Sequence, residues 1–329
     1  MKPALRLALL LAALAAALLL AVRLGAVPLS VREIVDAASG RGDPTTVTIV
    51  RRLRLPRSLL AALVGGALAA SGAVFQALLR NPLAEPYVLG VAGGAAVGAV
   101  AMVALGGLAA TAAPVSAAAF AGAIVAVALV FRIAAAAGRA LDTRVLLLAG
   151  VVAGAFFNAL ILLALTFADA DSFRSAMFWM MGSFSGATWR GDALLAAYMV
   201  PALAVLLALS RPLNLLSVGE ETAAYLGTRV ERVKLVAYGV ASLLTAAAVA
   251  ASGVIGFVGL VVPHVVRLLW GGDHRFLLPA SVLLGATFLV LADALARVAA
   301  APTELPIGVV TAFVGVPFFV WLLRRRGVA

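Results

Sequence analysis

The 329-residue chain contains no cysteine, so disulfides and thiolate metal sites are excluded. Histidine is nearly absent as well. His264 and His274 are the only two, and without cysteine they cannot assemble a credible bare-metal pathway. Charge is scarce: 12% of residues, where a soluble domain has roughly a quarter. The two lysines, Lys2 and Lys234, lie in no G-x-x-x-x-G-K-[ST] context, so a phosphate loop is missing and any ATP must be bound elsewhere. The centres of the apolar runs carry almost no ionisable residue. That argues against an ion-coupled carrier, which usually buries an acid or base in its bundle.

What is abundant is apolar, at 64% of residues, in runs of about 20. An α-helix of that length crosses roughly 30 Å of hydrocarbon. Lipid offers backbone amides no partner, which leaves helices or closed barrels, and barrel strands would alternate over about ten residues. These runs do not alternate. The expected fold class is all-α: a polytopic membrane protein with a single transmembrane domain over 1–329. Its ten spans are read at 5–22, 58–79, 91–107, 113–133, 145–167, 193–210, 233–252, 254–270, 277–297 and 307–323. Lys2 and Arg6 ahead of Leu7 to Val22 could pass for a secretory signal. The length of that run and the membrane character of everything after it favour a retained first span.

Net charge is +11, and 23 of the 25 basic residues are arginines. They sit in loops between spans rather than on one face, so the reading is topological, with no nucleic-acid partner. Ten spans place both ends on one side. Taken as cytoplasmic, that side holds 15 of the 25 basic residues, including the tail Arg324, Arg325 and Arg326. An outside cluster of Arg51, Arg52, Arg54 and Arg57 breaks the rule locally. Asp293 and Arg297, spaced i,i+4, can pair with each other. Gly90, Gly94 and Gly98 recur every four residues, as close helix packing requires. Ser71-Gly72 with Pro82, and Ser252-Gly253 with Pro263, share a spacing of ten and hint at an inverted repeat, an arrangement common in transporters. His264, after Pro263 at a membrane boundary, is read as structural. Asn158, polar within the fifth span, is read as an interhelical hydrogen bonder, with pathway lining as the alternative.

Several linked stretches carry a resemblance. They are Arg54-Leu55-Pro56-Arg57; Gly65 to Gly72 with Gln76; Arg80-Asn81-Pro82-Leu83-Ala84-Glu85-Pro86; and Trp179-Met180-Met181-Gly182-Ser183. Further on come Gly219-Glu220-Glu221, then Gly256-Phe257-Val258-Gly259 through Pro263-His264, and Glu304-Leu305-Pro306-Ile307-Gly308. From about residue 50 onward the chain resembles the permease subunits of type II bacterial ABC importers for iron-siderophores, heme and vitamin B12. The resemblance implies a vitamin B12 permease-like homodimer in lipid in the bacterial inner (plasma) membrane, with the pathway at the dimer interface. It also implies two ATP-binding subunits, which hold the ATP and Mg, and a periplasmic or lipoprotein substrate-binding protein. The chain itself would have no catalytic residue and no cofactor.

The resemblance also assigns residues. The cytoplasmic segment 213–227 looks like the ATPase-coupling region, with Leu213, Gly219, Glu220, Glu221, Thr222, Ala223, Leu226 and Gly227 as its candidates. Pro212 is expected to break the sixth span, and two acids at Glu220 and Glu221 suit a helix start. Arg54, Arg57 and Arg297 are the expected docking residues for the binding protein, steering more than holding it. Asn158, Phe178, Trp179, Met180 and Met181 are pathway candidates, the last four on a short outer-mouth helix within 171–186, where an interfacial aromatic belt is an equal explanation. The wording of the W-M-M-G-S and E-L-P-I-G stretches leans toward tetrapyrroles, heme or cobalamin, over siderophores. An ion-coupled secondary transporter is the alternative function, and an intramembrane protease would need a partner that His264 does not evidently have.

Overall fold

The computed structural model describes residues 2–25, 27–106, 112–138 and 141–325. The last residue of the expected third span, 107, and Arg326 of the tail lie outside the described residues. Every regular element among them is helical. α1 (Pro3–Arg23) is followed by an outer segment holding α2 (Val31–Ala38) and α3 (Pro44–Thr48), and a π-turn over Ile49–Arg54 runs straight into α4 (Leu55–Leu78). After a 3-10 turn at Pro86–Leu89 come α5 (Val91–Gly106), α6 (Ala112–Ala136), α7 (Thr143–Thr166) and the short α8 (Ala170–Met180). Next are α9 (Trp189–Ala208), two short helices α10 (Ser210–Val218) and α11 (Glu220–Tyr225), and α12 (Val230–Ser252). α13 (Val258–Trp270), α14 (His274–Val298) and α15 (Ile307–Arg325) complete the chain.

Among the described residues, seven helices are long and apolar enough to cross a membrane: α1, α4, α6, α7, α9, α12 and α14. α5, α13 and α15 are shorter apolar helices, and together these are the ten spans expected from hydropathy. Contacts fix their alternation. Arg6 lies over the Phe276 ring at one end, while Arg297 reaches the carbonyl of Ala21 at the other, so α1 and α14 are parallel, as the first and ninth of ten alternating spans must be. α15 starts at the end where Ile307 donates its N–H to Gly182, so it finishes at the end where α1 begins.

α4 is the axis of the molecule, continuously buried from Val64 to Leu78. Its alanine- and glycine-rich sequence has no polar stripe, which suits a helix surrounded by others. In lipid, burial of apolar surface does not drive helices together, so close approach of small residues must. Gly72 lies so near the Gly259 carbonyl that a Cβ there would overlap it. Gly94 and Gly98 of α5 meet Gly122 and Ala118 of α6 in the same way, as their spacing predicted.

The inverted-repeat hint fails locally. Gly72 is mid-helix, whereas Gly253 caps α12 with φ +73°. Pro82 lies in a turn, whereas Pro263 lies inside α13. Pro212 does not break a span either: α9 ends at Ala208, and Pro212 lies in the first turn of α10, where its missing N–H has no helical partner to lose.

Candidate functional site

At the end expected to face the cytoplasm, α10 and α11 form a two-helix shelf. α11 begins with Glu220 and Glu221 in its first turn, as expected for acids at a positive helix end. Glu220 also accepts hydrogen bonds from the Nζ of Lys234 at 3.0 and 3.1 Å, which ties the shelf to α12. Asn214 bolts it to α14. The Asn214 side chain donates to Asp273 at 2.8 Å and accepts from the backbone N–H of His274 at 2.8 Å, with His274 Nδ1 2.6 Å away. The Asn214 amide, and next the Arg275 backbone N–H, hold the Asp273 carboxyl below its ordinary pKa.

The eight residues expected here separate into two sets. Leu213 and Ala223 are buried and hold the shelf to the bundle. Glu221, Thr222, Leu226 and Gly227 face outward, Gly219 separates the two helices, and Glu220 is engaged by Lys234. The sequence reading missed the most exposed apolar groups of the shelf, Tyr225 at 91% and Val218 at 73%, which with Leu226 make a protruding apolar knob. It missed Asn214 and Lys234 too. A lone lysine in the opening turns of a span was the available signal for the second.

At the outer end the three expected docking arginines turn inward. Arg54 is buried and donates to the carbonyls of Val22 at 2.8 Å, Arg23 at 3.3 Å and Val27 at 2.6 Å. Arg297 donates to the carbonyls of Ala21 at 2.7 Å and Leu24 at 2.8 Å, and to Asp293 at 3.1 Å. The Ala21, Val22 and Arg23 carbonyls are among those a helix leaves unpaired at its C-terminus, and those of Leu24 and Val27 lie just beyond it. Two cations there also meet the negative end of the helix dipole. Arg54 and Arg297 therefore cap α1. Arg57 bridges buried Asp293 and half-exposed Glu304, with its Nη2 2.9 Å from a carboxylate oxygen of each. The Asp293–Arg297 pair is present as expected, but Arg57 alone of the three pairs with an exposed carboxylate, that of Glu304.

The pathway candidates line two different cavities. Met180 and Met181 border an apolar groove of about 580 Å³ with Val254, Phe257, Phe313 and Val316. Phe257 holds a left-handed backbone, φ +69°, which is strained for a bulky residue. Its N–H donates to Glu85 at 2.8 Å and its ring covers Gly315. Glu85 thus points to the base of this groove rather than toward the shelf. Phe178 and Trp179 border a second cavity of about 490 Å³, with Ser175, Ser183, Ser185 and Glu304. α8, which carries Phe178, Trp179 and Met180 and is followed by Met181 at its C-cap, starts on Asp169, whose carboxylate accepts from the N–H groups of Asp171 and Ser172 and is held below its ordinary pKa by the Ser172 bonds first. Asn158 is exposed on α7 between Val151 and Leu162, and among the described residues its amide has no hydrogen-bond partner. The expected interhelical bond does not form within one chain.

The comparisons with known proteins agree with one another. A family model described as the FecCD transport family matches residues 12–325. The cobalamin import system permease protein BtuC of Halobacterium salinarum is 47% identical over 288 residues, covering 87% of this chain and 76% of that protein. The vitamin B12 import system permease protein BtuC of Escherichia coli is 45% identical over 285 residues, covering 87% and 86%. A solved structure described as an inward-facing conformation of a metal-chelate type ABC transporter superposes with TM-score 0.88 at 32% identity, covering 98% of this chain and all of that one.

Proposed function

We propose, since this chain belongs to the FecCD transport family, that it forms the passage of an importer for a corrinoid such as vitamin B12. It is an ABC importer permease, a multi-pass membrane protein and not itself an enzyme. Two copies pair in the plasma membrane, two ATP-binding subunits grip their inner shelves, and a binding protein delivers cargo outside. ATP and Mg belong to those subunits.

The observation that carries the reading is the apolar groove of Met180, Met181, Phe257 and Phe313. Thioether and aryl side chains make soft, adaptable contacts with a large flat ring and fix no small ion. The names of the two BtuC relatives support the corrinoid over heme or an iron-siderophore. The Tyr225, Leu226 and Val218 knob supports ATPase docking, because an apolar protrusion outside lipid needs a cover. ATP binding drives the change only if the ATPase holds the two permease states with different affinity, and the ties of the shelf to α12 and α14 give its movement a route into the bundle.

Reconstitution in liposomes with the ATPase and binding protein tests this. ATP-dependent uptake of cobalamin, exceeding that of heme and ferric siderophore, is expected. Uptake of another chelate alone would overturn the cargo, and transport on an ion gradient without the ATPase would overturn the whole reading. One observation favours that second possibility: Asp192, in the first turn of α9, is buried with neither carboxylate oxygen hydrogen-bonded among the described residues. A single acid at the end of one helix is thin support, and Asp192→Asn is expected to leave ATP-dependent uptake in place.

A further inference from the structure

α1, α9 and α14 leave an apolar groove of about 340 Å³, distinct from the Met181 groove, with which it shares no residue. Leu7 and Leu11, Leu203 and Leu207, and Pro279 and Val282 make its walls, and every lining residue is apolar. Each wall leads to an arginine at its inner end. Arg6 adjoins Leu7, with its guanidinium 5.9 Å from the Phe276 ring centroid. Arg275 lies one turn before Pro279 on α14. Arg211 lies just past α9, and the neighbouring Ser210 donates to the His274 carbonyl at 3.4 Å, which sets the start of α10 against the start of α14, where Arg275 lies. The acid in these segments is Asp273, already hydrogen-bonded by Asn214 and by the Arg275 N–H. Arg211 and Arg275 are exposed and Arg6 half-buried.

We infer that this groove is a binding site for one anionic phospholipid of the inner leaflet, its acyl chain between α1, α9 and α14 and its phosphate on Arg6, Arg211 and Arg275. A zwitterionic lipid would satisfy the groove but leave three cations facing one acid. Guanidinium suits phosphate because its planar fork donates two parallel bonds. The site stands independently of the cargo. It also lies at the root of α10, so the lipid fastens the peripheral first span to the base of the coupling shelf.

Native mass spectrometry of the full chain released from detergent, with equal phosphatidylglycerol and phosphatidylcholine added, tests the site. One phosphatidylglycerol retained per chain in preference to phosphatidylcholine is expected. Each of Arg6→Gln, Arg211→Gln and Arg275→Gln is expected to lower that preference about fivefold. Leu207→Trp, which fills the groove and keeps the charges, is expected to remove both lipids together. Equal retention of the two lipids, or a preference unchanged in the glutamine variants, would overturn the proposal. Displacement of the lipid by millimolar inorganic phosphate would instead make it a free-anion site and overturn it equally.

Discussion

An arginine on the outer side of a membrane protein can serve a partner or the fold, and its hydrogen bonds decide which. Arg54 has its donors on the last carbonyls of α1 and the loop beyond it. Arg54→Leu therefore leaves those acceptors unpaired in a buried place. Bonds to a charged group contribute about 1.5–3 kcal/mol each, so the variant is expected to unfold several degrees earlier in detergent, with binding-protein affinity following only as far as folding does. Arg57 is different, because Glu304 is half-exposed and can be exchanged for another acid. Glu304→Gln is expected to tighten binding of the binding protein a few-fold at low salt, and Arg57→Glu to weaken it. A tightening that survives in the double variant Arg57→Gln, Glu304→Gln would show that the freed arginine is not its cause. The inward turn of Arg54 was not legible in the sequence. A motif records that a cation is required, whereas its acceptors lie some 30 residues away in α1 and become neighbours only on folding.

At the scale of elements, the ten spans were legible because a run of about 20 apolar residues has one cheap solution in lipid. The short elements were not. α2 carries a capping box, in which Ser30 Oγ accepts from the Glu33 N–H and the Glu33 carboxylate accepts from the Ser30 N–H. That S-x-x-E signal was there to be found. The shelf was half visible: its acids were predicted, its bolts were not, because Lys234 and Asp273 are remote from it in sequence. Those bolts give two predictions. Lys234→Ala is expected to leave ATPase turnover largely intact while uptake per ATP falls, and Glu220→Lys with Lys234→Glu to restore part of the ratio. An unchanged ratio would free α12 of any part in coupling. Asp273, held below its ordinary pKa by Asn214, stabilises the shelf fully above the unfolded carboxylate value near 4 and loses that contribution as pH falls through the folded one. The thermal midpoint is expected to drop more steeply as pH falls below about 4 in the wild type than in Asp273→Asn.

At the scale of the whole molecule, the proposed pairing of two copies is best tested at a polar group rather than an apolar one. Leu148, Val151 and Leu162 on α7 are exposed, but lipid covers such side chains without cost. Asn158, on the same face, is not so easily covered. An amide without a partner in hydrocarbon is expensive by several kcal/mol, so this face turns to water, to a second chain, or to both, as it would along a passage between two copies. The absence of native cysteine makes the test clean. Asn158→Cys in membranes, treated with a short bis-maleimide, is expected to give a species of twice the mass. Leu11→Cys, equally open on α1 but placed by the lipid groove, is expected to stay single. If the two behaved the opposite way, the pairing face would move from α7 to α1, and Asn158 would lie outside any passage between two copies.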